Sequence, residues 1–483
     1  MKKLMVTVGL AGLLAACSSP NVENSARIRG EVLSSGVSEV ELRWLVDNPI
    51  SGKGGDYQVN IDDQGMFEMD IPLERLAVGQ LGIGSALYEV CLLPGDDVFI
   101  RVSDGSLDFS GKGAAKSRFL YEATQDGYST RAFYSAMNEG KLNPTEFVEW
   151  AEDFKTRRLA YFDAFDEKSK LEKPFVAWFG VQTEVIFEEL IREYPSTYAY
   201  RNDISLSELK LPASVDRYKR FSEIVDDDRV VYHGYASGLR NLLFEKMGEL
   251  VRADSTIDRS SAVYVLLADS LSGLTREYVL ATWIISSLSN DHYDSVAVAM
   301  ADTLVKNPLA TRTLDLAFDK FNEKRSLLGQ PLHEEFAQTV FVDTSGVEQT
   351  FGQLMDGFKG KVVYLDFWSM GCGPCRAAMP YARQLKDKLQ EEPIEFVYAS
   401  MDWVWDRNWG PLFEATQTRD NHFVLLNGFN SRLHRFMEIN WVPCYMIFDK
   451  EGRLVDYNAD RPSRMVEQGE TSLERELRKL AMK

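Results

Sequence analysis

Cysteine and histidine are scarce in this chain, with five of each in 483 residues. So few cysteines exclude a disulfide-stapled scaffold as the source of stability. Cys372-Gly373-Pro374-Cys375 has no second C-x-x-C and no C-x-x-H to accompany it, so the two further ligands of a structural zinc site are missing from the pattern. His233 and His292 stand alone, without metal-ligand spacing. Positive charge is also short: 54 Lys and Arg face 73 Asp and Glu, a formal charge of -19. That balance argues against nucleic acid and anionic membrane surfaces as partners of the folded part. No tetratricopeptide-type repeat is evident. Apolar residues, by contrast, are plentiful at 45%, and the length calls for more than one domain.

The chain begins Met1-Lys2-Lys3, continues through the apolar segment Leu4 to Ala16, and reaches Cys17. A basic start and an apolar stretch this short read as a secretory signal, since a spanning helix needs about 20 apolar residues. Leu14-Ala15-Ala16-Cys17 resembles a bacterial lipobox. That resemblance implies removal of residues 1–16 and lipidation of Cys17, with inner and outer membrane both open. The alternative is that Cys17 merely lies near an ordinary cleavage site. Residues 17–26 read as a polar tether.

From 27 to 112 the pattern is β-like. Val40–Trp44 and Tyr57–Ile61 alternate with period two, Met66–Ile71 follows the turn Asp62-Asp63-Gln64-Gly65, and Tyr88–Leu92 and Val98–Val102 flank Leu93-Pro94-Gly95-Asp96-Asp97. An all-β sandwich is expected. Its layout resembles a small domain of unknown activity found ahead of lipoprotein thioredoxins. The paired aspartates are read as turn chemistry rather than calcium ligands, and Cys91 as a buried small apolar residue. From 113 to 330 the period becomes helical, with Asn143-Pro144 and Asn307-Pro308 as helix starts, giving an all-α region of spacer or partner-recognition character.

The last segment, 331–483, carries the chemistry. Lys361–Phe367 reads as a central strand that feeds Cys372 and Cys375 into a helix N-terminus, where unpaired N–H groups and the helix dipole favour a thiolate. Ile394–Ala399 reads as a second strand, followed by a helix around Trp405 to Thr416, then a hairpin around Lys450-Glu451-Gly452 and a final helix. With Asp366-Phe367-Trp368, Cys372-Gly373-Pro374-Cys375, Val442-Pro443, Asp449-Lys450-Glu451-Gly452 and Arg461-Pro462-Ser463 in place, the segment resembles the TlpA/ResA-like thioredoxins of bacterial envelopes.

The resemblance implies a thioredoxin fold with no cofactor and no metal, Cys372 as attacking thiolate and Cys375 as resolving thiol. Asp366 would be the buried acid beneath the pair, or else a strand-end carboxylate in water. Pro443 would be the cis-proline against the disulfide, with the Val442 backbone free to pair with an extended substrate, and Trp368 belongs to the supporting set. Three departures stand out: Gly371 where Trp is usual, Ala378 where a Glu is frequent, and Cys444 after Pro443 where Thr is common. If Pro443 lies near the dithiol, Cys444 is expected near it too, as a modulator or alternative disulfide partner, or as a bland thiol.

The function expected is a lipid-anchored, periplasm-facing thiol-disulfide oxidoreductase of the cell envelope. It would reduce disulfide-containing envelope proteins with electrons from a membrane-embedded donor. A lipid-anchored binding or scaffold protein with a docking thioredoxin domain is the rival reading.

Overall fold

Period-two alternation in the first hundred residues and parallel apolar runs in the last third set up two different sheet systems, which a computed structural model of the chain displays. It describes residues 24–483 except 34–35, 53, 85, 104, 219, 222–224, 233, 255, 258, 403–409, 411–419, 438, 440 and 463–469. The leader, Cys17, most of the tether, His233, the helix expected around Trp405–Thr416 and Ser463 lie outside the described residues. The chain divides into two compact units, one within Met1–Ser286 and Asp294–Leu314, the other formed by Ser287–Tyr293 and Asp315–Lys483.

The first unit opens with eight strands: β1 (Ser25–Val32), β2 (Glu39–Val46), β3 (Gly54–Asn60), β4 (Met66–Pro72), β5 (Ala77–Ile83), β6 (Ala86–Leu92), β7 (Asp97–Ser103) and β8 (Ser106–Lys112). They form two four-stranded sheets, ordered β4-β1-β7-β8 and β3-β2-β5-β6. Both contribute alternate side chains, Ile28, Ile71 and Ile100 from the first and Leu42, Leu81 and Val90 from the second, to one core, as a sandwich requires. Asp62 serves its turn by accepting the N–H groups of Gln64 and Met66, at 2.9 and 2.8 Å.

The regular alternation expected through Val40–Trp44 breaks. The register of β2 shifts between Leu42 and Leu45, and Trp44 takes φ 49° with its indole exposed, held by an N–H donated to Asp56 Oδ1 at 2.8 Å. A bulge re-aims a side chain at the expense of local backbone strain.

Ten α-helices and one short 3-10 helix, Leu206–Glu208, follow between Ala114 and Ser326 among the described residues. Asn143 caps the helix Pro144–Ser169: its side chain accepts from the N–H groups of Thr145 and Glu146, and Glu146 accepts from the N–H of Asn143. Helix Ala114–Gln125 covers β6, where Cys91 is buried with Phe119 and Trp178. Lys116 from that helix is fully buried, with Nζ 3.1 Å from Asp96 Oδ2 and 2.7 Å from Glu172 Oε1. Sheets and helices thus share one unit. Among the described residues no helix is long and apolar enough to cross a membrane.

The second unit holds β9 (Val340–Asp343), β10 (Glu348–Thr350), β11 (Val362–Trp368), β12 (Ile394–Ser400), β13 (His422–Leu425), β14 (Cys444–Phe448) and β15 (Leu454–Asp456), ordered β10-β9-β13-β12-β11-β14-β15. β11, β12 and β13 run parallel and β14 antiparallel to β11. Every side chain of β11 is buried, because apolar clusters cover both faces of the strand. Helices Gly373–Lys388 and Ser472–Ala481 supply one cluster, while Glu334–Ala337, Phe351–Asp356 and Arg432–Met437 supply the other. This is the α/β layout expected for the segment. The unit starts before the change of pattern at 330: Lys324 Nζ donates to Met437 O at 3.4 Å, and Tyr457 Oη–H donates to Asp291 Oδ1 at 2.6 Å.

Removing a buried cation leaves its carboxylate partner desolvated and uncompensated. Lys116→Met is therefore expected to weaken the first unit by about 3 kcal/mol, against about 1 kcal/mol for Asn143→Ala at the exposed cap. Urea unfolding followed by circular dichroism measures both.

Candidate active site

β11 carries Asp366, Phe367 and Trp368 to the end of the sheet, and a short turn then delivers Cys372 as the N-cap of helix Gly373–Lys388. Proline at the first turn, Pro374, suits this start because its absent N–H would have no helical partner. The turn is pinned at three points. Cys372 N–H donates to Ser369 O at 3.1 Å, Met370 N–H donates to Asp402 Oδ2 at 2.6 Å, and Met401 N–H donates to Trp368 O at 2.8 Å. Asp402 is itself oriented by the Ser400 hydroxyl, which donates at 3.2 Å.

Cys372 is half-buried, Cys375 is 2% exposed, and the two are joined in a disulfide. The Cys375 N–H points at Cys372 Sγ, 3.1 Å away. A helix N-terminus aimed at a sulfur favours its anionic form once the disulfide is opened. Facing the pair is the cis peptide bond Val442–Pro443, with Val442 O 3.6 Å from Cys372 Sγ. Cys372, Cys375, Val442 and Pro443 are therefore brought together, and Trp368 is fully buried in the same cluster as Cys375.

Asp366 is buried rather than water-exposed, at 3% exposure. It shares a strand face with Tyr364 and Trp368, which pack with Cys375, and it stands opposite Tyr398 on β12 and Tyr445 on β14. Its Oδ1 has no hydrogen-bond partner among the described residues. Burial among three tyrosines and an indole pushes the carboxyl up to about 8, opposed by the positive charge of Arg461. Asp402 and the tyrosines were not among the residues singled out from sequence, and Arg461 entered only as part of the Arg461-Pro462-Ser463 motif, without a role at the site. Asp402 acts on a backbone N–H 32 residues away, a link that composition and spacing do not encode.

Cys444 is where expectation and structure part. It is adjacent to Pro443 in sequence, yet its side chain packs with Phe367, Met446 and Phe448 on the face of the sheet opposite Cys375. Consecutive strand residues point to opposite faces, so nearness to Pro443 removes rather than supplies nearness to the dithiol. Burial pushes the Cys444 thiol up to about 12; Asp366 and Asp456 add to the shift and Lys324 opposes it. Nothing in this placement supports an alternative disulfide. At Gly371 a Cβ would meet no atom of a described residue within 4 Å, and Ala378 is buried in the helix.

The family model described as thioredoxin-like matches residues 360–454. Thiol-disulfide oxidoreductase ResA of Oceanobacillus iheyensis is 43% identical over 56 residues, 12% of this chain and 29% of that protein. Thiol-disulfide oxidoreductase YkuV of Bacillus subtilis is 29% identical over 100 residues, 20% of this chain and 67% of that protein. The chain thus spans 26–29% of the length of the first ResA relatives it matches. Among solved structures, the thioredoxin domain of a thiol-disulfide oxidoreductase from Bacteroides vulgatus is 22% identical with a TM-score of 0.24, covering 29% of this chain and 91% of that one. A thiol:disulfide interchange protein from Bacteroides sp. is 21% identical with a TM-score of 0.25, covering 30% and 86%.

Two outcomes follow from burial. A carboxyl held at about 8 in the fold against 3.8 outside it binds its proton more tightly when folded, so stability falls as pH rises between those values and levels off above. Asp366→Asn abolishes that loss. In urea titrations its stability relative to the native chain should grow by on the order of a few kcal/mol from pH 5 to pH 8. Alkylation of the reduced chain, read by mass spectrometry, should label Cys372 first and Cys444 only after denaturant is added, since buried protonated thiols are inert.

Proposed function

We propose that this chain is an envelope thiol-disulfide oxidoreductase that reduces protein disulfides through Cys372 and Cys375. The observation that carries the reading is the placement of Cys372, half-buried at the N-terminus of a 16-residue helix with the Cys375 N–H directed at its sulfur. In the reduced state the Cys372 thiolate attacks one sulfur of a substrate disulfide, forming a mixed disulfide and releasing one substrate thiolate. Cys375 passes its proton to Asp366, whose raised affinity for a proton makes it a base matched to a thiol. The Cys375 thiolate then attacks Cys372 Sγ, the Cys372–Cys375 bond reforms, and the second substrate thiolate leaves. Two electrons have passed to the substrate. A membrane-embedded donor of two electrons and two protons returns the pair to its dithiol.

Val442 supplies a backbone carbonyl at the rim of the pair, a position from which an extended substrate segment can be hydrogen-bonded. Residues 1–16 act as the export leader, Cys17 as the lipidated anchor and 17–26 as the tether, which keeps the dithiol facing the periplasm. The β-sandwich of 27–112 and the helical stretch 113–330 stand between anchor and the thioredoxin-like segment 331–483.

Insulin reduction with dithiothreitol as donor tests the reading. The native chain should turn over, with a rate that rises with pH towards about 8 as Asp366 ionises. Cys372→Ser should fall to the uncatalysed rate, and Asp366→Asn should lose about a hundredfold together with the pH dependence. Turnover unaffected by Cys372→Ser would leave the dithiol without a catalytic part.

A further inference from the structure

The first unit holds a cavity of about 490 Å³ to which the dithiol chemistry assigns nothing. One wall is the outer face of the sheet β3-β2-β5-β6, where Val78, Gln80 and Glu89 stand on neighbouring strands, with Gln80 directly opposite Glu89. The other wall is a single helical stripe, Pro174, Trp178 and Gln182, spaced by four residues so that all three face the sheet. Trp44 and Tyr232 also line it. This is the size and make-up of a small-molecule site: aromatic walls with a few convergent polar groups.

Three observations narrow the ligand. The first is charge: Asp47, Glu74 and Glu89 line the cavity against one guanidinium, Arg75. Glu74 lies 4.0 Å from Arg75 and 3.5 Å from Arg312, so Asp47 and Glu89 are the carboxylates left to act on a guest. The second is Glu89 itself. It makes no hydrogen bond or ion pair with a described residue, and burial raises its pKa while the more distant Arg158 opposes the rise. Arg158 is committed elsewhere, donating to Thr183 Oγ1 at 3.1 Å and lying 4.4 Å from the Phe179 ring centroid. The third is Trp44, an exposed indole held on a left-handed residue in a bulge, the kind of strain that persists where a ligand is clamped. A half-buried carboxylate among indole and phenol rings attracts a cation by charge and by the ring quadrupoles together.

We propose that this cavity binds a small organic cation, an amine or quaternary ammonium group, with Glu89 as counter-ion and Trp44, Trp178 and Tyr232 as aromatic walls. The site belongs to the first unit and does not depend on the redox reading.

Calorimetric titration of the full chain with choline, against its neutral isostere 3,3-dimethylbutan-1-ol and against glucose, tests it. Choline should bind saturably, and both neutral probes should bind at least about tenfold more weakly. Glu89→Gln and Trp44→Gly, the latter compatible with a left-handed backbone, should each weaken choline by about tenfold without changing the circular dichroism or melting of the chain. Absence of saturable choline binding, equal binding of a neutral probe, or choline binding unmoved by both substitutions would overturn the proposal. Should Glu89→Gln fail to fold, the surface change at Trp44 still decides the matter.

Discussion

The second unit depends on the complete burial of one strand. Val362–Trp368 has apolar cover on both faces, so alternation along it decides which cluster each side chain joins. Val363, Leu365 and Phe367 go to one side; Val362, Tyr364, Asp366 and Trp368 go to the other, with Cys375. The site inherits its electrostatics from that division. An acid placed on the dithiol face of a strand buried along its whole length is withdrawn from solvent, and it is flanked by the tyrosines across from it on β12 and β14. The same division removes Cys444 from the chemistry: its partner across the ladder is Phe367, not Asp366.

What could be read from sequence was whatever is local. The C-x-x-C pair with a proline in the first turn specifies its own helix start, and β-like alternation specified most of the sandwich. The failures have physical causes. Adjacency to Pro443 along the chain suggests that Cys444 lies beside the dithiol, but a strand reverses side-chain direction at every residue. Trp44 fell in an alternating stretch, and alternation is blind to a bulge that adds residues to one strand alone. β5 was not singled out because Gly79 and Gly82 dilute its pattern. At Gly79 a side chain would come within 2.9 Å of the Leu45 Cα, so the glycine marks close packing against β2, not a break.

The first unit shows how charge can be spent in opposite ways within one structure. Lys116 is buried but answered on two sides, by Asp96 and Glu172, and so binds helix Ala114–Gln125 to its surroundings. Glu89 makes no ion pair with a described residue, and only the charge of Arg158, acting without contact, offsets its burial. A fold stabilises itself by the first arrangement and gains nothing by the second, which is why the second draws attention as a place of recognition.

Gly371 lies beside the reactive sulfur, outside the left-handed region, and in open space. A Cβ added there would meet no described atom within 4 Å, and the backbone conformation is one that L residues adopt. Asp366 is the opposite case, since any exchange there alters stability and proton affinity at once. Beside a side chain whose burial fixes both stability and proton affinity, the chain thus places a residue whose replacement by alanine is predicted to cost the fold little.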